Sequence, residues 1–239
     1  MFFSRIRIEP GSLAQIQLLR ILQGNVYAIH QLLWTLFPGS PGEKRDFLFR
    51  QEFEKEQLAF EETRRALPLF YVVSQRKPET ISGFLRVESK EYEPVLKKGT
   101  RLLFDLRANP VVARSTEGKE RSVKHDVLMD AKLKGCREGV IDKIEIQKRM
   151  QCAAAKWLIN KSAFNGFIVE TSKEKPWLDV YAYQQHLLRK KGNNRIRFSS
   201  IDFSGNLTVS DPDKFKKILF FGIGPAKAFG CGLLLVKPV

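Results

Sequence analysis

Two runs of alternating residues set the frame of this chain. The first is Phe2-Phe3-Ser4-Arg5-Ile6-Arg7-Ile8, and the second, Thr100-Arg101-Leu102-Leu103-Phe104-Asp105-Leu106-Arg107, lies far downstream. In the first, Ile6 and Ile8 share one face and Arg5 and Arg7 the other, the pattern of a strand with one buried side. Each run opens a similar series of elements, and the two series join near residues 91–98. In the first, an apolar-periodic segment at 12–22 and a helix at 25–38 precede strand-like runs at 46–50 and 69–74, separated by the charged stretch 52–65. A last strand is expected around 81–87, and the short crossover at 78–83 leaves little room for a helix. In the second, a basic, turn-rich stretch at 108–126 precedes a helix at 144–158 and a strand at 166–170. Paired strands follow at 180–188 and 195–203, with Lys190-Lys191-Gly192-Asn193-Asn194 as their turn, since Gly and Asn tolerate positive φ. Asp211 and Pro212 then open a helix to Phe221 as cap and first-turn residue, and 233–236 is the closing strand. The expected architecture is α+β, two tandem ferredoxin-like (βαββαβ, RRM-like) domains at residues 1–95 and 96–239.

The helix at 25–38 is bounded by Asn25, which can cap its first turn, and by Pro38, which cannot continue it. Val26, Ile29, Leu33, Leu36 and Phe37 fall on one stripe and must face a core. His30 sits at the edge of that stripe, with Tyr27 and Trp34 on its polar side. Tyr27 and His30 are three residues apart and so neighbours on the helix surface. An imidazole beside a phenol, where a packed face meets solvent, is a candidate acid/base pair. The same position also suits a boundary histidine with no chemistry.

Charge narrows the partner class. Lys and Arg number 41 against 26 Asp and Glu, a net charge of +15, with a sequence pI near 9.8. Such a surface attracts polyanions before acidic small molecules. No apolar run approaches the roughly 18 residues of a spanning helix and no signal-peptide pattern is present, so a soluble cytoplasmic protein is expected. Cys136, Cys152 and Cys231 are few, odd in number and widely separated. They are expected to be reduced, partly buried thiols, with neither a disulfide framework nor a zinc site.

Gly222-Ile223-Gly224-Pro225-Ala226-Lys227-Ala228-Phe229-Gly230-Cys231-Gly232 is neither a Walker loop nor a dinucleotide fingerprint, because no Gly-Lys-Ser/Thr is present and the loop ends a helix. Its glycines allow close backbone approach to a phosphate and Lys227 adds a charge, although a tight connection with no ligand would read the same way.

Three blocks together carry a resemblance: Tyr27-Ala28-Ile29-His30-Gln31-Leu32-Leu33-Trp34-Thr35-Leu36-Phe37-Pro38, then Leu106-Arg107-Ala108-Asn109-Pro110, then the glycine-rich loop through Leu234. In this order the chain resembles, over nearly its whole length, the repeat-processing endoribonucleases of CRISPR systems, the CasE branch of the type I-E Cascade complex. The resemblance implies tandem ferredoxin-like domains and metal-free cutting of precursor CRISPR RNA within each repeat. It also implies no cofactor, with the repeat RNA stem-loop and other Cascade subunits as partners. The positions matching the family's catalytic histidine and tyrosine are His30 and Tyr27. The 2′-hydroxyl of RNA attacks its own phosphate, so the protein must align it, move two protons and stabilise phosphoryl charge, leaving 2′,3′-cyclic phosphate and 5′-hydroxyl ends. Neither His125 nor His186 begins the His-x-Ser/Thr pair of two-histidine phosphoesterases.

Five cations, Arg189, Lys190, Lys191, Arg195 and Arg197, surround the expected hairpin tip, an arrangement suited to phosphates. Arg107, Arg114, Gly222, Gly224 and Lys227 complete the expected RNA-binding set, and 113–125 is a second basic stretch. A non-catalytic subunit that holds guide RNA is the competing function. A recognition module would show paired aromatic submotifs of the Lys/Arg-Gly-Phe/Tyr-Gly/Ala-Phe-Val-x-Phe/Tyr type, which the sequence lacks. If the hairpin tip meets phosphates, replacing Lys190, Lys191, Arg195 and Arg197 by Ala is expected to weaken repeat binding. The slope of log affinity against log salt should flatten by roughly 0.7–0.9 for every phosphate no longer neutralised, which a filter-binding salt titration measures.

Overall fold

The computed structural model describes residues 1–8, 26–39, 45–53, 68–80, 85–114, 122–172, 175–189 and 195–239. They form two compact units, Met1–Pro94 with Lys227–Gly230, and Val95–Ala226 with Cys231–Val239. Four residues of the glycine-rich loop, read from sequence as part of the second domain, thus group with the first.

The first unit holds β1 (Phe2–Ile8), α1 (Val26–Trp34), β2 (Phe47–Phe53), β3 (Pro68–Ser74) and β4 (Leu85–Glu91). Its sheet has the order β2-β3-β1-β4, with all pairs antiparallel, which is the ferredoxin-like arrangement. The alternation of β1 is realised as expected: Ser4, Ile6 and Ile8 are buried while Arg5 and Arg7 stand on the other face beside Glu88. On that second face Phe3 of β1 and Tyr71 of β3 stack at 5.8 Å. Between β3 and β4, residues 75–80 are turn and coil and residues 81–84 lie outside the described set. The core joins one sheet face to α1 through Ile6, Ile8, Ile29, Leu33, Leu36, Phe37, Phe47, Phe49, Phe70, Val72 and Leu85. Apolar burial of this kind is the main favourable contribution to such a small unit.

The second unit runs β5 (Arg101–Ala108), β6 (Val111–Arg114), β7 (Val123–Asp126), α2 (Val127–Arg137), α3 (Lys143–Phe164), β8 (Phe167–Val169), β9 (Thr171–Ser172), β10 (Lys175–Pro176), β11 (Leu178–Arg189), β12 (Arg195–Val209), α4 (Pro212–Phe221) and β13 (Leu234–Pro238). Its main sheet has the order β11-β12-β5-β13, with β8 also on β12, and repeats the first unit's topology. Trp157 of α3 stacks on Phe203 of β12 at 6.2 Å and donates its indole N–H to the Val111 carbonyl at 3.2 Å. Asp211 caps α4 as read from sequence, accepting the Lys214 N–H at 3.1 Å.

Two features differ from the sequence reading. The stretch 108–126 contains the β6–β7 ribbon, and Asp126 caps a helix, α2, that apolar periodicity did not reveal. That helix buries only Leu128 and Gly135. Its start is held by Asp126, which accepts the Leu128 and Met129 N–H groups at 2.8 and 3.1 Å, and an ion pair ties its Asp130 to Arg114 of β6. Cys136 and Cys152 are exposed, and only Cys231 is buried. Among the described residues no helix is long and apolar enough to cross a membrane.

Leu33 is fully buried in the first core. Leu33→Ala is expected to lower unfolding free energy by about 2–5 kcal/mol, read from urea denaturation of the intact chain.

Candidate active site

α1 is short, and its C-terminal end is fastened rather than frayed. Thr35, Leu36 and Phe37 N–H groups donate back to Leu32, Leu33 and Trp34 carbonyls, and the Glu79 N–H satisfies the Leu36 carbonyl at 2.8 Å. The predicted stripe is the buried one: Ile29, Leu33 and Leu36 are at 0% exposure and Phe37 at 2%. The expected Asn25 cap lies outside the described residues. His30 and Tyr27 are both half-buried on this helix.

The direct partner of His30 among the described residues is Trp34, one turn on. The Trp34 indole Nε1–H donates to His30 Nε2 at 3.1 Å. Trp34 stands edge-on to Phe47 at 5.4 Å, and Phe47 stacks on Phe37 at 4.8 Å, so the indole is fixed by the core. A neutral imidazole that accepts on Nε2 carries its proton on Nδ1.

Two cations complete the cluster within this unit. Arg45 lies just ahead of β2. Its Nη1 is buried without a hydrogen-bond partner, and burial lowers the guanidinium pKa. The neighbouring carboxylate does not serve it: Asp46 is taken by Arg76, whose Nε lies 2.6 Å from Oδ2 and whose Nη1 donates to the Pro38 carbonyl at 2.9 Å. Lys227 opens a single 3-10 turn, Lys227–Phe229, that packs against α1 and β2. Gly230 closes that turn at φ +78°, a conformation strained for any L side chain, and a Cβ there would meet the Phe49 ring at 3.3 Å, a tight contact. Burial, and then the charge of Arg45, lower the pKa of His30 below its ordinary value, and the same two causes lower that of Lys227. Half-buried cations that raise one another's energy, with an unpartnered guanidinium N–H among them, favour an incoming anion. Sequence reasoning missed Arg45 and the role of Trp34. Nothing in either residue's pattern marks it, because one depends on a neighbour's pairing and the other on a side-chain contact.

The remaining expected residues belong to the second unit. Arg107 is clamped by Asp202 through two bonds of 2.8 Å, and Arg114 is paired with Asp130 at 2.6 Å. Arg195 and Arg197 are exposed on β12, opposite Arg189 and Leu187 of β11. Lys190 and Lys191 lie outside the described residues. Gly222 ends α4 at φ 73°, its N–H returning to the Ile218 carbonyl, and Gly224 lies against the Trp157 ring. Gly222 thus ends a helix at positive φ, and Gly224 allows close packing on Trp157. His186 stacks on Phe198 at 4.4 Å, with Nε2 2.8 Å from Ser200 Oγ.

A family model described as CRISPR associated protein matches residues 1–238. The chain belongs to this family. Among its relatives, the CRISPR system Cascade subunit CasE of Escherichia coli is 29% identical over 231 residues, covering 95% of this chain and 99% of that protein. The CRISPR-associated endoribonuclease Cse3 of Thermus thermophilus is 28% identical over 154 residues, 62% of this chain and 61% of that protein. The fold is that of a solved structure of CRISPR endoribonuclease Cse3 bound to 19 nt RNA, with a TM-score of 0.71 and 24% identity over 100% of both chains.

Because folding lowers the His30 pKa below 6.5, the unfolded chain binds that proton more tightly. This contribution to stability is present above pH 6.5 and is lost as pH falls from 6.5 toward the folded value. In an NMR titration of this family member without RNA, His30 is expected to titrate below 6.5, and Arg45→Ala is expected to move its midpoint upward. A midpoint unchanged by Arg45→Ala would separate the two groups.

Proposed function

We propose that this chain is an endoribonuclease that cuts precursor CRISPR RNA within its repeats and serves as a subunit of the Cascade complex. The observation that carries this reading is the convergence of neutral His30 with Arg45 and Lys227 in a chain that aligns with CasE over 95% of its length. The name of the Thermus thermophilus relative supports the activity, and the shared fold is one on which Cse3 holds RNA.

In this mechanism His30 is the base. Its Nε2 lone pair takes the proton of the attacking 2′-hydroxyl, a contribution of about 10²–10⁴-fold. Arg45 and Lys227 hold the non-bridging oxygens as charge builds on the phosphorus, and Tyr27 lines the helix surface beside His30 to orient the nucleotide. The 2′-oxygen to phosphorus bond forms, the bond to the 5′-oxygen breaks, and that oxygen takes up a proton from water, while His30 later gives the 2′-hydroxyl proton back to solvent. No step requires a metal ion or other cofactor. The repeat stem-loop is held by the cationic β11–β12 hairpin of Arg189, Lys190, Lys191, Arg195 and Arg197, with Arg114 of β6 as a further cation of the same unit. Arg107, Gly222 and Gly224, expected from sequence to bind RNA, support the fold through Asp202, α4 and Trp157. The protein acts where its RNA is made, in the cytoplasm.

His30→Ala is expected to abolish cleavage of labelled repeat RNA while leaving affinity within a few-fold, because one neutral side chain adds little beside many phosphate contacts. Cleavage by the unaltered protein should persist in excess EDTA. Binding without cleavage by the unaltered protein would support the competing reading, a subunit that only holds guide RNA. Strict dependence on magnesium or manganese would overturn the side-chain mechanism.

A further inference from the structure

The indole N–H of Trp34 occupies the atom that the proposed chemistry needs. A neutral imidazole has one lone pair in its ring plane, and on His30 that lone pair is at Nε2, filled by Trp34 at 3.1 Å. The attacking 2′-hydroxyl is also a hydrogen-bond donor, so it can replace the indole on the same lone pair without changing the protonation state of the ring. The arrangement is held from behind. Trp34 meets the edge of Phe47, Phe47 lies on Phe37, and the His30 ring itself sits 6.2 Å from Phe47. His30 and Trp34 also meet edge-on at 6.1 Å, the geometry of an N–H directed along the partner ring plane.

Resting on the endoribonuclease reading above, we propose that Trp34 is a positioning residue that stands in for the RNA 2′-hydroxyl, keeping the resting His30 ring oriented with its proton on Nδ1 and its Nε2 lone pair ready for exchange. Imidazolium is incompatible with this contact, because a protonated Nε2 cannot accept from the indole. Burial of the ring acts in the same direction, as does Arg45 ahead of β2, which repels a proton on His30; the same guanidinium also acts on Lys227 of the 3-10 turn. Tyr27 is the titratable neighbour on α1 itself, and no carboxylate among the described residues pairs with His30. Wrong-tautomer histidines are poor proton acceptors even when correctly placed, which makes a contact that selects the tautomer consequential.

Two measurements on the full chain test this. In histidine-labelled protein without RNA, long-range ¹⁵N–¹H correlations assign the ring proton. The unaltered protein is expected to show His30 protonated on Nδ1, and a ring protonated on Nε2 would overturn the proposal without any variant being made. Trp34→Phe keeps an aromatic ring against Phe47 but removes the donor. It is expected to move ring proton density to Nε2 and raise the His30 midpoint. The acid limb of kcat/KM then moves to higher pH, and at a fixed pH on that limb the rate falls about tenfold for every pH unit by which the midpoint has risen. A Trp34→Phe protein with the original tautomer, midpoint and pH profile would overturn the proposal, leaving the indole a packing residue. The two readings fail separately. If His30→Ala is inactive and Trp34→Phe is indistinguishable from the unaltered protein, the role of Trp34 falls and the ribonuclease stands. If His30→Ala cleaves at full rate, the assignment of His30 as base falls, whatever the NMR shows.

Discussion

The candidate site depends on one seam, where the buried stripe of α1 lies on the aromatic side chains of β2. Ile29, Leu33, Leu36 and Phe37 fill one side of that seam and Phe47 and Phe49 the other. Three consequences follow from the same packing. The helix is fixed in rotation, which leaves His30 at the margin instead of in the core. Phe47, held by Phe37, fixes the indole of Trp34. Phe49 also forms the wall against which Gly230 closes, so the 3-10 turn carrying Lys227 is positioned by the same strand. A nine-residue helix has little stability of its own, since the cost of its first turn is spread over few hydrogen bonds. Tertiary packing is therefore what holds it, and a defect in the seam would disturb histidine, indole and lysine together.

Electrostatics at the site is decided by which arginine gets the carboxylate. Asp46 and Arg45 are adjacent in sequence, but Asp46 is engaged by Arg76, which also reaches the Pro38 carbonyl and lies over the Phe37 ring at 6.0 Å. Arg76 thereby closes the end of α1 onto the start of β2 and leaves Arg45 with a buried, unsatisfied N–H. An unpaired buried donor costs stability unless something arrives to satisfy it, so its persistence beside a histidine and a lysine points to a ligand with oxygen acceptors and negative charge. Three arginines of the second unit are instead satisfied internally: Arg101 by Glu170, Arg107 by Asp202 and Arg149 by Glu138 and Glu145. Glu170 is the clearest sign of that pairing, with its pKa lowered to about 2 chiefly by the hydrogen bonds from Arg101.

Much of this architecture was legible from sequence because it rests on periodicity. Alternation identified β1 and β5, the apolar stripe identified α1, and the Asp211-Pro212 cap identified α4, so the tandem ferredoxin-like plan could be read directly. The helix α2 escaped because its stability comes from the Asp126 cap and ion pairs, neither of which leaves an apolar repeat. At the site, His30 and Tyr27 stood out as polar residues beside an apolar stripe, and Lys227 as a charge in a glycine-rich loop. Arg45 and Trp34 did not. The significance of Arg45 comes from a carboxylate diverted to a residue thirty positions away, and that of Trp34 from a side-chain contact across one helical turn. The pairing of Arg107 was equally hidden, since its partner Asp202 lies 95 positions away and no local pattern joins the two.

The charge pattern also bears on what happens after cleavage. A phosphodiester within RNA carries one negative charge, and the cyclic phosphodiester formed by 2′-hydroxyl attack carries one as well. In the proposed mechanism, the attraction that Arg45 and Lys227 exert on the scissile group is therefore nearly the same before and after the bond breaks. What changes is the protonation of His30, which must return its proton for the ring to accept the Trp34 indole again. Nothing in that series of steps drives the RNA out, because neither the cation pair nor the hairpin cations lose their counter-charge. An enzyme of this design resets its catalytic group without releasing its ligand, which suits a subunit that remains on the RNA it has cut better than one that turns over many substrates.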